Sequence, residues 1–452
     1  MFTTVSQRTF RFCDDLAHAA SRPLPDGADR AARRSLLNVL GTTVGAATSP
    51  AVEVMLETAR GLDITGSVPV LGRRDTLNQH WGALIAGTAG HYDDFDDTHL
   101  ATVIHPGAAT LGALVALYDT PVTSGEVFLR AFALGCEAQL RIGNAISPNH
   151  YDRGWHITGT CGVFGATVAA AVILGYDARR LEAALTAAST MTLGHREAFG
   201  SMTKPFHAGK AAANGIRAAQ RGADGDAAVE ALGDDGILTM FADAVDETEL
   251  FGSWDRDWEL ESNAFKPYPC GIVAHPAIDA AIEASAKVNP DTVVGIDVSC
   301  HPLVPELMGI EQPADGLQAR FSARHGVSVG LLDGTVGLPQ FSDTRATSAD
   351  ATRLRAITRL VPGDDCARDA ATVTVHSSDR DDVVAHVPHA RGSLARPLTD
   401  AELLAKVSAL TEPVLGAGSG AALLRAIEDI NTPTGFADVL AAALPAQERE
   451  RV

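Results

Sequence analysis

The spacing of apolar residues changes twice along this chain. From the N-terminus to about residue 265 it follows a helical period. Thr123 and Glu126 form a T-x-x-E capping box, and Val127, Ala131, Leu134 and Ala138 recur behind it at helical spacing. Gly175 stops one helix and Asp177 caps the next, whose Leu181, Ala184, Leu185 and Ala188 share a face. A further helix is expected from about Ala208 to Arg221, ending at Gly222. The period then becomes two. Val294, Ile296, Val298 and Cys300 alternate, as do Val373 and Val375. Val383, Val384 and Val387 follow the polar turn Ser377–Asp382 as a third strand candidate, and one helix lies among the strands near Ala319 to Leu332. Helical spacing returns after Pro397, with Thr399 or Asp400 as cap and Leu403, Leu404, Val407 and Leu410 behind it. A chain patterned this way is mostly α. A large all-helical domain made of residues 1–267 and 399–452 is interrupted by a smaller α+β domain at 268–398.

The chain has 452 residues, 46% of them hydrophobic and 20% charged, which suits two packed domains and rules out global disorder. Aromatics make up only 5%, while there are 42 glycines, so its helices can approach one another closely. Lys plus Arg number 36 against 56 Asp plus Glu, a formal charge of −20. Such a surface repels phosphate backbones and anionic lipid, so neither nucleic acid nor a membrane is an expected partner. If the ligand is an anion, the cations must be gathered in one place.

The six cysteines are scattered, with no C-x-x-C pair, and Met1–Arg11 has no apolar signal-like stretch. A reduced, cytoplasmic protein is the expectation. Apolar runs such as Ala166–Leu174 are shorter than the ~20 residues needed to span a bilayer.

Four segments concentrate groups with chemistry. His91-Tyr-Asp-Asp-Phe-Asp-Asp-Thr-His99, followed by His105-Pro-Gly107, packs four carboxylates into five residues. Such crowding is unfavourable unless a cation or a hydrogen-bond network compensates. A solvated acidic loop is the plain alternative, but it would not call for the interleaved His91, Phe95, Thr98, His99 and His105. Taken alone, Asp93–Asp97 also fits the D-D-x-x-D pattern by which terpenoid synthases bind magnesium diphosphate, and a His/Asp metal phosphohydrolase is a related alternative. The chain lacks a second magnesium motif, is poor in cavity-lining aromatics, and has no i,i+4 histidine pair in this region.

The second segment is Gly154-Trp-His156 before Thr158, Gly159 and Thr160, where His156 could equally be a hydrogen-bonded core residue. The third, around Lys204-Pro-Phe-His207, places Lys204 before a proline and so in an extended or turn conformation. The fourth is Phe265-Lys266-Pro-Tyr268-Pro-Cys270, with His275 beyond, at the boundary between the two patterns. Single lysines are mostly surface residues. Two of them in proline-stiffened segments beside histidines suit carboxylate anchors.

Together, DDFDDTHLATVIHPGA, GWHITGTCGVFGAT, GHREAFGSMTKPFHAGKAAANG and FKPYPCGIVAHPAID resemble the MmgE/PrpD family, in order and over almost the whole chain. That family includes 2-methylcitrate dehydratase, cis-aconitate decarboxylase and iminodisuccinate epimerase. The resemblance implies a homodimer whose α+β domain acts as a lid, an active-site cleft between the domains, and no metal or organic cofactor. Matched by motif, its polar positions fall on Asp94, Thr98, His105, His156, Lys204 and Lys266, with Tyr268, His275 and His325 as further substrate-binding candidates. Two positions depart from the pattern: Gly271 stands where decarboxylase-like members carry a histidine, and His325 ends an A-x-F-S-x-x-Y-like segment. The implied activity is that of a lyase or isomerase of a small di- or tricarboxylate, working by proton transfer next to a carboxylate. Lys204 and Lys266 would stabilise the enolate-like intermediate. His105 or His156 would be the base. Asp94 would orient a histidine, and Thr98 would hydrogen-bond the substrate.

Overall fold

The computed structural model describes residues 7–120, 124–226 and 229–446. The fold is mostly helical, with one four-stranded sheet and two small two-stranded pairings.

Four helices make the centre of the larger core: Gln79–Tyr92, Pro106–Val115, Ile157–Ile173 and Thr203–Arg221. They pack through small residues. A Cβ on Gly209 would lie 2.1 Å from the Leu84 carbonyl oxygen, so only glycine lets these two helices cross so closely. Asp177 caps the Ala178–Ser189 helix by accepting from the Arg180 N–H, and Gly175 before it has φ +67°. The Gly125–Ile146 helix is capped by the Ser124 side chain, which accepts from Val127 N–H; Thr123 lies outside the described residues. The helix expected from Ala208 begins earlier, at Thr203, with Pro205 in its first turn. There a proline lacks only an N–H that would have no partner anyway. Lys204 is therefore helical, not extended.

Buried apolar residues form two clusters. The larger runs from Phe12 to Phe265 and takes in Leu398, Leu403, Val407 and Leu440, so helices from both ends of the chain share one core. The Asp400–Leu415 helix in it opens on a complete capping box, Thr399 with Glu402. The smaller cluster runs from Tyr268 to Val387.

The sheet in the smaller cluster has the spatial order Thr358–Pro362, Val293–Cys300, Ala371–Ser377, Val383–Val387. The first pair is parallel and the others antiparallel. Helices His275–Ser285 and Ala323–Asp333 pack against each other and the sheet. Two details depart from the period-two reading. The Thr358–Pro362 strand carries no alternation of its own, being an edge strand that is mostly exposed and ends in proline. Val294 faces solvent, because the register shifts between Val293 and Gly295.

No single helix among the described residues is long and apolar enough to cross a membrane. The six cysteines are free thiols, five of them buried.

Candidate functional site

Three helices of the larger core begin at one place. His105 is the N-cap of Pro106–Val115, His156 the N-cap of Ile157–Ile173, and Lys204 lies in the first turn of Thr203–Arg221. Helix N-termini carry partial positive charge, so the spot favours anions and disfavours a proton on nearby imidazoles. All three side chains line one cavity, together with Asp94, Thr98, Lys266 and Tyr151. The smaller core closes it with Ile272, Val273, Leu307, Met308 and Phe321. Asp94, Thr98, His105, His156, Lys204 and Lys266, six of the expected site residues, therefore converge on one pocket.

The loop after Tyr92 builds the polar wall, and each of its carboxylates has a different partner. Asp93 takes Arg320 at 2.7 Å. Asp94 accepts from Lys204 through one oxygen and lies 3.1 Å from Lys266 Nζ through the other, while Lys266 also donates to the Asp94 carbonyl at 2.9 Å. Asp96 pairs with His91 Nδ1 at 2.8 Å. Asp97 accepts from Ser35 Oγ, from Asn263 Nδ2 at 2.6 Å and from the Gly107 N–H at 3.2 Å. The acidic run is thus neither a solvated loop nor a set of oxygens converging on one cation. It is a buried network tying the loop to several other parts of the fold. The loop is also strained: Asp94 has φ +50° and Val103, a β-branched residue at the cavity, φ +61°.

Burial works against the Asp94 carboxylate, yet Lys204, Lys266 and the neighbouring histidines outweigh it and hold its pKa well below the ordinary range. Burial lowers Lys204, against the pull of Asp94. For Asp97, burial and the nearby Asp96 charge outweigh its hydrogen bonds and raise the pKa to about 6. His105 is pushed well below 6.5 by burial and by Lys266, His91 and Lys204, although Asp96 opposes this. His156 is lowered by burial, then by Lys204 and the other histidines. Both imidazoles are therefore neutral.

The tautomer of His105 follows from its partners. Its Nδ1–H donates to the Asp97 carbonyl at 2.9 Å, with Thr98 Oγ1 at 3.0 Å, which leaves Nε2 as the basic nitrogen. His156 shares a 2.9 Å Nδ1–Nδ1 hydrogen bond with His207, and its buried Nε2 has no protein partner. The His91 ring stacks on His156 at 5.6 Å and lies tilted against His105 at 4.6 Å.

His91, Asp96 and His105 offer ligand atoms within 4.8 Å of one another, the one such metal-like grouping among the described residues. His91 Nδ1 is bonded to Asp96 Oδ2 and His105 Nδ1 to a carbonyl, while His91 Nε2 and Asp96 Oδ1 are buried without a hydrogen-bond partner.

The remaining candidates lie elsewhere. Tyr268 donates its hydroxyl to Asp279, His275 bonds the Cys270 carbonyl at 3.2 Å, and His325 is held between Gln340 O and Arg355. None of the three is among the residues that line this cavity. Conversely, Lys406 emerges as a brace. Its buried ammonium donates to Phe95 O at 2.7 Å, Lys266 O at 2.9 Å and Asn38. It sits beside Leu403 and Val407 in an otherwise ordinary amphipathic helix, so only a lysine on the apolar face could have hinted at it.

The pocket thus gathers two lysines and two neutral imidazoles on a mostly helical scaffold. Residues 11–246 match the MmgE/PrpD N-terminal domain and residues 268–431 the MmgE/PrpD C-terminal domain. The chain belongs to the MmgE/PrpD family. Cis-aconitate decarboxylase of Mus musculus is 28% identical over 336 residues, which span 70% of this chain and 68% of that protein. The Homo sapiens protein of the same name is 28% identical over 341 residues, spanning 71% and 69%.

Proposed function

We propose that this protein is a lyase of the decarboxylase or dehydratase kind, acting on a small carboxylic acid without a metal or organic cofactor. The observation that carries the reading is the meeting, in one cavity, of Lys266 with His105, His156 and Lys204, the last three at helix N-termini. A proton next to a carboxylate is weakly acidic, and its removal builds charge on the carboxylate oxygens. Lys204 and Lys266 are placed to neutralise that charge, and in a dry site they act more strongly than in water.

His105 Nε2 or His156 Nε2 exchanges the proton with the substrate carbon, since a neutral imidazole accepts protons near neutral pH. Asp94 holds both lysines at the wall, and Thr98 helps fix the His105 ring. In a decarboxylation the C–C bond breaks, CO₂ leaves, and the resulting carbanion takes a proton that His105 or His156 has acquired from solvent as the anionic acid binds. In a dehydration the base removes the carbon-bound proton, and a second group protonates the departing hydroxyl. The smaller core, which supplies the apolar wall, is read as a lid spanning 268–398. A homodimer is the expected assembly, to be checked by sedimentation.

The test is proton NMR of the purified protein in deuterium oxide with citrate-, aconitate-, malate- and aspartate-like acids. Deuterium appearing at the carbon next to a carboxylate, with or without net turnover and undiminished by EDTA, is expected. Activity abolished by EDTA and restored by magnesium would replace this reading with the metal-dependent one.

A further inference from the structure

One imidazole of the cavity has a fixed tautomer and the other does not. His105 Nδ1 is bonded to the Asp97 carbonyl, which can only accept, so the proton stays on that nitrogen. His156 Nδ1 instead meets a second imidazole, His207 Nδ1, at 2.9 Å. Burial lowers His207 to about 4, and His156 is lowered as well, so both rings are neutral and one proton lies between the two nitrogens. If His156 holds it, His156 Nε2 is a base. If His207 holds it, His156 Nε2 carries a proton and is an acid. His207 is also built into its place. It sits one turn beyond Lys204 on Thr203–Arg221, in a slot between two glycines. A Cβ on Gly159 would lie 3.0 Å from His207 Cβ, and one on Gly194 would lie 3.3 Å from His207 Nδ1. The His156 N–H donates to Gly194 O at 3.0 Å and Trp155 pairs with His195, which joins the two segments that form the slot. His195 is exposed, with its ring centroid 5.8 Å from that of His207. It lines a second, open cavity, which shares Phe199, Leu307 and Phe321 with the first but not His156.

We propose that His207 is the proton relay of this site, handing its Nδ1 proton to His156 and drawing a replacement from solvent where His195 is exposed. This deepens the functional reading above and rests on it. As the anionic acid binds, His207 Nε2 takes a proton from water and His207 Nδ1 passes its own to His156 Nδ1, so His156 carries protons on both nitrogens. In a decarboxylation the C–C bond then breaks, CO₂ leaves, and the carbanion takes the Nε2 proton of His156. One solvent proton has reached the carbon, and both rings end neutral. In a dehydration the same Nε2 proton goes to the departing hydroxyl, while His105 Nε2 removes the carbon-bound proton. After product leaves, His156 Nε2 regains a proton from water, the Nδ1 proton passes back, and His207 Nε2 releases one to solvent. A bound acid separates His156 from water in the cavity, and His207 supplies the route that remains.

His207→Asn separates relaying from positioning, because an asparagine amide can hydrogen-bond His156 Nδ1 but cannot pass a proton on. With cis-aconitate, or whichever acid of the panel turns over, kcat is expected to fall on the order of 10²-fold while KM stays nearly unchanged. In His207→Ala, whose slot is left open, free imidazole in the buffer is expected to restore part of the lost kcat. A wild-type kcat in His207→Asn would overturn the proposal. So would a fall in kcat that comes with a lower melting temperature and no rescue by imidazole, which would make His207 structural. Nitrogen-15 NMR of histidine-labelled protein reads the same proton without turnover. The wild-type His156 ring is expected to show a mixture of both tautomers, and His207→Asn to reduce it to one. A single His156 tautomer in the wild type, unmoved by the substitution, would overturn the relay. If the wild type turns over no acid of the panel, the lyase reading falls and the NMR result alone decides the relay.

Discussion

His156 shows how two roles can meet in one residue. Its Nδ1 is bonded to His207 and its Nε2 is bare. As a structural residue it would contribute a hydrogen bond, and as a base it would contribute the lone pair. His156→Ala is expected to lower turnover by ~10²–10⁴-fold. The melting temperature of the same sample separates the roles: a large drop in melting with turnover per folded molecule intact would make His156 structural. For Lys204→Ala the loss falls on binding. A charged hydrogen bond is worth about 1.5–3 kcal/mol, so KM for a carboxylate substrate should rise roughly ten- to hundredfold. An unchanged KM would show that Lys266 alone anchors the acid. The residues legible in the sequence were those in dense motifs: Asp94, Thr98, His105, His156, Lys204 and Lys266. Val103 and Lys406 were not, because backbone strain and a buried ammonium far along the chain leave no local mark. Tyr268, His275 and His325 make hydrogen bonds within the smaller core and do not line the cavity.

At the level of elements, helix placement was legible wherever a cap and a face agreed, as at Asp177 and Thr399. The edge strand Thr358–Pro362 was not, because one of its sides has no partner and its residues answer to solvent. The close crossing of Gln79–Tyr92 and Thr203–Arg221 gives the sharpest test at this scale. At Gly209 an added methyl would meet Leu84 O and the Thr88 side chain, both 2.1 Å from the Cβ position. Gly209→Ala must push the helices apart. Overpacking of this kind costs about 1–3 kcal/mol, which denaturant unfolding can measure. Lys204 rides on the same helix, so KM should rise as well. A variant as stable as the parent, with KM unchanged, would mean that the crossing absorbs a methyl without shifting the site.

Across the whole molecule, several histidines are kept neutral by burial, and this sets how the fold responds to acid. Burial lowers His150 and His325 to about 4 and His275 to about 3. In the unfolded chain each returns to an ordinary value near ~6.5. A group with a depressed folded pKa contributes stability that is present above its unfolded pKa and lost as pH falls toward the folded one. Between about pH 6.5 and 4 the unfolded state therefore binds the extra protons, and stability falls with up to ~1.4 kcal/mol per pH unit from each group. Asp97, raised to about 6, works in the opposite sense: its contribution is largest in acid and is lost as pH rises through that value. His91, His105, His156 and His207 are lowered by burial as His150, His275 and His325 are, and Asp93 and Glu137 are raised as Asp97 is; the imidazoles are the more numerous, so the melting temperature should be level above pH ~7 and drop steadily below ~6.5. His325 offers the clearest single test. Its Nε2–H donates to Gln340 O while Nδ1 accepts from Arg355, so protonating Nδ1 would set an N–H against a guanidinium. His325→Gln removes the titrating ring and leaves a side chain that can still donate and accept. The variant should lose part of the acid slope while melting near the parent at pH ~8, and a slope unchanged by the substitution would place the acid sensitivity elsewhere.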